Sequence, residues 1–378
     1  MKVKHGLTIL VLAALFNSAW AQRPKVTNAK IDETATGASL KQIIDSVAQK
    51  QSGPEWIGYR IPAKATERTM CCFESWDDQG SSSSNQCCKG CKMDSDHGTS
   101  INGAVSNCAP PEPVPYAFVF LRMENKRIER VRVFSADCPL DFAGLPLHWA
   151  ESVKPEESID LLTRLALDAS GTSAQDDDRS DRDGEWKGGT RTSHNAVMAL
   201  AMHDVPAADT ALEKLIQPDL PLKLRENVAF WLGIERGRKG VEILEKAIKA
   251  DQNERFRERV TFAFSQSKEP QALKDLIGMA HDDPSPRVRG QAIFWMAQIG
   301  GRKQAEQITA AIENDPATEV KKKAVFALSQ LHDGEGVLLL IGVAKTNKNP
   351  AVRKQAMFWL GQSHDPRALA YLEEVLTK

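Results

Sequence analysis

From residue 192 the chain copies itself at a fixed interval, and that interval restricts the possible fold more than anything else in it. The segments "LRENVAFWLG", "FRERVTFAFSQ", "VRGQAIFWMAQ", "VKKKAVFALSQ" and "VRKQAMFWLGQ" begin at residues 224, 256, 288, 320 and 352, each 32 beyond the last, and "TSHNAVMALA" at 192 is a weaker first copy. Six such units fill residues 187–378. A period of this size belongs to stacked repeats, in which each unit buries its apolar face only against its neighbours. Apolar residues recur every four positions within a unit: Val288, Ala292 and Met296, or Val352, Ala356 and Leu360. A second set repeats in register, at Leu212, Leu244, Leu276, Ile308, Leu340 and Leu372. Four-residue spacing marks one helical face, whereas a strand would alternate by two. Each unit therefore predicts two helices, and six units predict an α-solenoid.

Two polar columns keep the same register. An acid stands five residues before each first-helix core, at Asp219, Asp251, Asp283 and Asp315, with Asn347 in the last copy. A base follows each core start, at Arg225, Arg257, Arg289, Lys321 and Arg353. With these columns the pattern resembles the HEAT-repeat family, in the short-unit form found in phycobilisome-lyase-like proteins. The resemblance covers about half of the chain. It implies that the acidic and basic columns form a ladder joining successive units. It implies no single function, because the same scaffold serves many. Arg287, Lys322, Lys323 and Lys354 lie beside the basic column and would make an anion-binding ridge if left free; the facing aspartates argue for internal pairing instead.

The aromatic columns bear on function. Phe230, Phe262, Phe294, Phe326 and Phe358 hold one place in every unit, with Met198 in the first. At 100° per residue that place points about 160° from the apolar face. The next column reads Ala199, Trp231, Ala263, Trp295, Ala327, Trp359, and such alternation of small and large suits packing. The phenylalanines either stack along the superhelix or form an apolar stripe on its inner face. Exposed contiguous apolar area marks a binding site, so these five are the candidate partner-binding residues.

The N-terminal part reads differently. Lys2 and Lys4, the apolar run Leu7–Phe16 and Ala19-Trp20-Ala21 have the order of a secretory signal peptide cut after Ala21. A secreted or periplasmic protein is expected, without membrane insertion, since the run is too short to span a bilayer. In that compartment Cys71, Cys72, Cys87, Cys88, Cys91, Cys108 and Cys138 are disulfide candidates, with one left over because seven is odd. Only Cys88 and Cys91 have the spacing of a zinc knuckle, and a zinc site wants four ligands. "EWIGYRIPA" reads as a strand, and Tyr116–Met123 with Ile128–Phe134 reads as a hairpin around "ENKR". The expected fold class is α+β multidomain. Residues 1–21 are the signal and 22–150 a small disulfide-rich β-containing domain. Residues 151–190 are a helix, with Ser158 as a cap candidate, and a polar acidic linker; 191–378 are the solenoid of six HEAT-like helix pairs.

Chemistry is poorly signalled. Aligning the linker to a calcium loop at Gly184 puts Asp181 and Asp183 at ligand positions, but Arg179 and Thr190 where carboxylates belong. No catalytic motif is present, and Cys138 with His148 is a poor nucleophile–base pair. The pairs His203-Asp204, His281-Asp282, His332-Asp333 and His364-Asp365 suggest iron, as in HEAT-like deoxyhypusine hydroxylase with its repeated His-Glu pairs. Here the acid is Asp, and the corresponding helical places hold Arg225-Glu226 and Arg257-Glu258. Dipole and capping roles suit these pairs better. No metal, cofactor or catalytic residue is expected. The net charge of −1 excludes bulk nucleic-acid binding. An exported scaffold or adaptor for a protein partner is the reading, a small-molecule ligand being a poor match. The alternatives are a HEAT-like enzyme, either a metal-dependent oxygenase or a bilin-lyase-like protein, or a structural envelope component.

Overall fold

The computed structural model describes residues 23–33, 37–64, 69–72, 91–94, 99–102, 113–136, 138–168, 188–331 and 334–377. The expected signal, the calcium-loop alignment, Cys87, Cys88, Cys108 and the His332-Asp333 pair lie outside the described residues. Strands β1 (Val26–Thr27) and β2 (Lys30–Glu33) come first, then helix α1 (Leu40–Lys50). Ser39 caps α1 by accepting from the Gln42 amide, and Gln42 reaches back to the Ser39 amide. Strands β3 (Glu55–Pro62), β4 (Thr69–Cys72), β5 (Cys91–Lys92), β6 (Thr99–Asn102), β7 (Tyr116–Glu124), β8 (Arg127–Ser135), β9 (Leu140–Asp141) and β10 (Pro146–Ala150) follow. The main sheet has the order β2-β10-β3-β7-β8. The predicted hairpin is β7–β8; Asn125 and Lys126 turn it with φ of 51° and 63°, the left-handed pair a tight hairpin needs.

Both faces of this sheet are buried, which is why β7 reads as a nearly unbroken apolar run. One face stacks Trp56, Phe118, Phe120, Phe134 and Trp149 against Phe142, Met93 and Leu140. Gly58 makes room there, since a Cβ would lie 2.7 Å from the Phe120 ring and 3.0 Å from Trp149. Cys91 and Cys138 belong to this core, and both are disulfide-bonded. Cys138 therefore offers no free thiol to His148. That imidazole lies instead between Glu55 at 2.7 Å and Asp32 at 3.4 Å.

The opposite face, through Ile57, Tyr59, Ile61, Val119 and Leu121, packs against helices. These are α1, α2 (Pro155–Asp168) and α3 (Gly188–Met202), the last being the first helix of the repeat array. Helix α3 also covers edge strand β8: Thr192 Oγ1 donates to the Glu129 carbonyl and Asn195 Nδ2 to that of Val131. Satisfying an edge in this way removes a site for unwanted strand pairing. The Asp204 amide donates to Pro62 at the end of β3. A boundary drawn at residue 151 or 190 thus crosses a continuous core, and the sheet serves as the N-terminal cap that a repeat stack requires.

Ser158 does not cap a helix. It is buried inside α2, where Tyr59 Oη lies 2.9 Å and His203 Nε2 3.0 Å from its hydroxyl. His203 Nδ1 faces the Ala199 carbonyl at 2.7 Å. A carbonyl only accepts, so Nδ1 carries the proton, Ser158 donates to Nε2 and Tyr59 donates to Ser158. Burial first, then the neighbouring Arg236 charge, pushes His203 down to about 4. Unfolding restores an ordinary value of about 6.5. Between those values the unfolded chain binds a proton that the folded chain refuses, so stability is complete above pH 6.5 and declines toward pH 4. Thermal melts of His203→Gln are expected to show a shallower decline across pH 4–6.5 than the parent; parallel curves would contradict this.

The array continues with α4 (Pro206–Leu215), α5 (Leu222–Glu235), α6 (Gly237–Ala250), α7 (Glu254–Gln266), α8 (Pro270–Asp282), α9 (Pro286–Gly300), α10 (Ala305–Asn314), α11 (Thr318–Ser329), α12 (Glu335–Thr346), α13 (Pro350–Gln362) and α14 (Pro366–Leu376). With α3 these form six pairs among the described residues. Consecutive first helices (α3, α5, α7, α9, α11, α13) pack along one another, whereas consecutive second helices barely meet. The closely packed layer is therefore the inside of the curve. Close approach there needs Gly233, whose Cβ would run into the Ala263 backbone.

An arginine ladder crosses the three middle seams. Arg225 pairs with Asp251. Arg257 grips Asp283 through two bonds of 2.8 and 3.1 Å, and Arg289 grips Asp315 through two of 2.7 and 3.0 Å. Arg257 and Arg289 also donate to loop carbonyls of their own unit, Gln252 and Asp283. Each aspartate in turn accepts from the amide two residues on, at Asn253, Ser285 and Ala317. The ladder has ends. Asp219 has Ser193 where an arginine would stand, and Lys321 bonds the Glu313 carbonyl where Asn347 replaces the acid. Among the described residues Arg353 holds only the Asn347 and Lys348 carbonyls. Burial would raise the Asp315 carboxyl, but the Arg289 bonds and the Ala317 amide outweigh it and hold it below the usual range. Arg289→Ala strands a buried carboxylate and is expected to cost about 3 kcal/mol in chemical denaturation. Arg353→Ala is expected to cost about 1 kcal/mol; equal losses would contradict the ladder.

Candidate functional site

The inner layer carries the five phenylalanines, and the structure gives them a geometry that the sequence left open. Phe230 stacks on Phe262 with centroids 5.9 Å apart and planes 17° apart, and Phe294 on Phe326 at 5.9 Å and 2°. Tryptophans join these pairs: Phe262 meets Trp295 at 4.9 Å, and Phe326 meets Trp359 at 4.9 Å. Each tryptophan also meets the phenylalanine beside it in sequence, so Trp231, Phe230, Phe262, Trp295, Phe294, Phe326, Trp359 and Phe358 form one unbroken aromatic row. Stacking and exposure coexist. Phe230, Phe262, Phe294 and Phe326 are half-buried, while Phe358, with no later neighbour among the described residues, is 53% exposed.

The tryptophans are more than core filling. They are the spacers that let rings one helix apart touch, since a Phe–Phe stack reaches only one seam. The alternation Ala199, Trp231, Ala263, Trp295, Ala327, Trp359 supplies a spacer at every second seam. Their indole nitrogens at Trp231, Trp295 and Trp359 are buried without a hydrogen-bond partner among the described residues. Three and four residues from each phenylalanine lie its neighbours on the same helical face. Gln266, Gln298, Gln330 and Gln362 are exposed on the C-terminal side of the row. Asn227, Arg259, Gln291, Lys323 and Gln355 flank it on the N-terminal side. Neither column is legible until the row itself is placed on the inner surface.

Several other candidates are closed. The Arg and Asp columns are occupied by the ladder, including Arg225 and Arg257 at the places compared with iron ligands. Arg287 pairs with Glu258 at 2.7 Å and Lys322 with Glu319 at 3.2 Å, whereas Lys323 and Lys354 are exposed and take part in no ion pair among the described residues. Expected internal pairing therefore holds for part of that ridge only, because Gly290 and Ala351 stand where partners would be. His203 is sealed in the sheet junction. His281 bonds Asp282 on the surface, and Asp365 caps α14 by accepting from the Arg367 amide at 2.8 Å. Among the described residues no group of three or more His, Cys, Asp or Glu could hold a metal ion. A groove of about 350 Å³ between α8, α9 and α10 is floored by Ile277, Ile293 and Met296, and the Asp315 at its rim already serves Arg289.

The match to one known family agrees with the repeat architecture. Residues 210–297 and 305–378 match the family of HEAT repeats. No curated protein matches the chain. Among solved structures, human deoxyhypusine hydroxylase in complex with glycerol overlaps 58% of this chain and 89% of its own, at 16% identity and a TM-score of 0.29. No described helix is long and apolar enough to cross a membrane.

Trp295 bridges two stacked pairs, so Trp295→Ala is expected to cost about 2 kcal/mol or more in stability. Phe358→Ala, at the exposed end, is expected to cost about 1 kcal/mol or less by the same denaturation assay. The reverse order would mean that the row is not continuous.

Proposed function

We propose that this protein is a scaffold or adaptor that captures a protein partner along the inner face of its solenoid. The carrying observation is the half-exposed aromatic row. Rings already ordered by stacking lose little entropy on binding, and aromatic side chains dominate interface energetics. A concave surface five helices long suits an extended segment or a second domain better than a small molecule. The HEAT repeats at residues 210–378 support this reading, as such repeats commonly mediate protein interactions. Their constant 32-residue length supports the short-unit, phycobilisome-lyase-like form. We place the protein outside the cytoplasm, with residues 1–21 as its leader. Disulfides would fix the cysteine-containing segment against the aromatic face of the sheet. That part would then act as a rigid cap and the solenoid as the reader.

The test uses a photo-crosslinking residue at Gln298 or Gln330 on the inner face and, as control, at the exposed Leu338 on the outer layer. A discrete cross-linked partner is expected from both inner positions and not from the outer one. Cross-links from Leu338 alone would contradict the proposal.

A further inference from the structure

The inner face repeats every two units rather than every one. Units with a Phe-Trp pair carry an uncharged amide three residues earlier: Asn227 before Phe230, Gln291 before Phe294, Gln355 before Phe358. Units with Phe-Ala carry a cation at that place, Arg259 before Phe262 and Lys323 before Phe326. Arg255 is engaged with Glu226, Arg257 with Asp283 and Arg287 with Glu258, while Lys354, exposed and without an ion pair among the described residues, lies outside the column that flanks the phenylalanines. Arg259 and Lys323 are exposed and have no ion-pair partner among the described residues. Lys323 is also held over the seam. Its stem lies across Gly290 of α9, where a Cβ would come within 2.6 Å of Lys323 Cδ. Glycine at 290 thus keeps open the lane in which the side chain rests.

Packed helices lie about 8–10 Å apart, so two units span roughly 16–20 Å. An extended polypeptide rises about 3.3 Å per residue and covers that distance in about six. We infer that the inner face binds an extended acidic polypeptide segment. Carboxylates about six residues apart meet Arg259 and Lys323, and apolar side chains two and four residues after the first, on the same face of the extended segment, lie on Phe294. The exposed amides of Gln266, Gln298 and Gln330 can both donate to and accept from its backbone. A nucleic acid is a poorer match, since its phosphates recur every nucleotide, far more often than these cations, and Glu319 is exposed on the same helix as Lys323. This inference rests on the inner face being the binding surface, and adds the charge and spacing of what binds there.

The experiment measures fluorescence anisotropy of labelled 14-residue peptides with the whole chain. One peptide carries two glutamates six residues apart with leucines two and four residues after the first, so that all four side chains share one face. The comparisons carry glutamines in their place, or glutamates three apart, and a single-stranded oligonucleotide is the last probe. The six-spaced glutamate peptide is expected to bind at least tenfold more tightly than either comparison peptide at low salt. Arg259→Gln with Lys323→Gln is expected to remove that advantage, and added salt to reduce it, as screening requires. Equal binding of the glutamine peptide, an undiminished preference in the double variant, tighter binding of the oligonucleotide, or no binding by any probe overturns the inference. The peptide series on the unaltered chain decides the matter even if the double variant folds poorly. A partner cross-linked from Gln298 of the unaltered chain, together with no glutamate preference in the peptide series, overturns the acidic segment while leaving protein capture intact.

Discussion

Everything in the solenoid depends on how closely one first helix can lie against the next, and the arginine ladder fixes that approach. Each ladder arginine grips the aspartate of the following unit, and Arg257 and Arg289 also bind carbonyls of their own loop. A buried ion pair of this kind contributes little net stability against an apolar replacement, but a mispaired one is costly. Its effect is therefore on register. The 32-residue phase that puts Arg289 against Asp315 also puts Phe294 against Phe326.

The aromatic row follows from that phase. Rings on successive inner helices meet face to face at one seam and through a tryptophan at the next, giving an ordered and partly solvent-facing surface. At the N-terminal end the sheet closes the stack, with α3 shared between strand edge and first repeat. The sheet and the solenoid are mechanically joined, and the buried Tyr59–Ser158–His203 chain ties them with polar groups shut away from solvent.

How much of this the sequence displayed follows from the distance between the residues involved. Repeat length, helix pairing and the ladder columns are local patterns copied at a fixed step, so Arg289 and Asp315 stand out by counting. The hairpin β7–β8 is local too: the apolar run of β7 and the alternating β8 stand on either side of a short polar turn. By contrast, β10 lies between β2 and β3, strands from far earlier in the chain, and no periodic signal announces that pairing. Ser158 looked like a helix cap because Tyr59 and His203 are brought to it only by tertiary packing. The tryptophans were half legible: their alternation pointed to packing, but their bridging of stacked pairs depends on the angle between helices. Lys323 stood out only as part of the basic ridge, and Arg259 not at all, because aligning units one by one hides a two-unit period.

Hydrogen exchange on the whole chain, alone and saturated with its cross-linked partner segment, tests the central claim most directly. The account predicts added protection in the inner helices α7, α9 and α11, centred on Phe262, Phe294 and Phe326, with the outer helices and the sheet unchanged. Protection confined to the outer layer or to the sheet would contradict it.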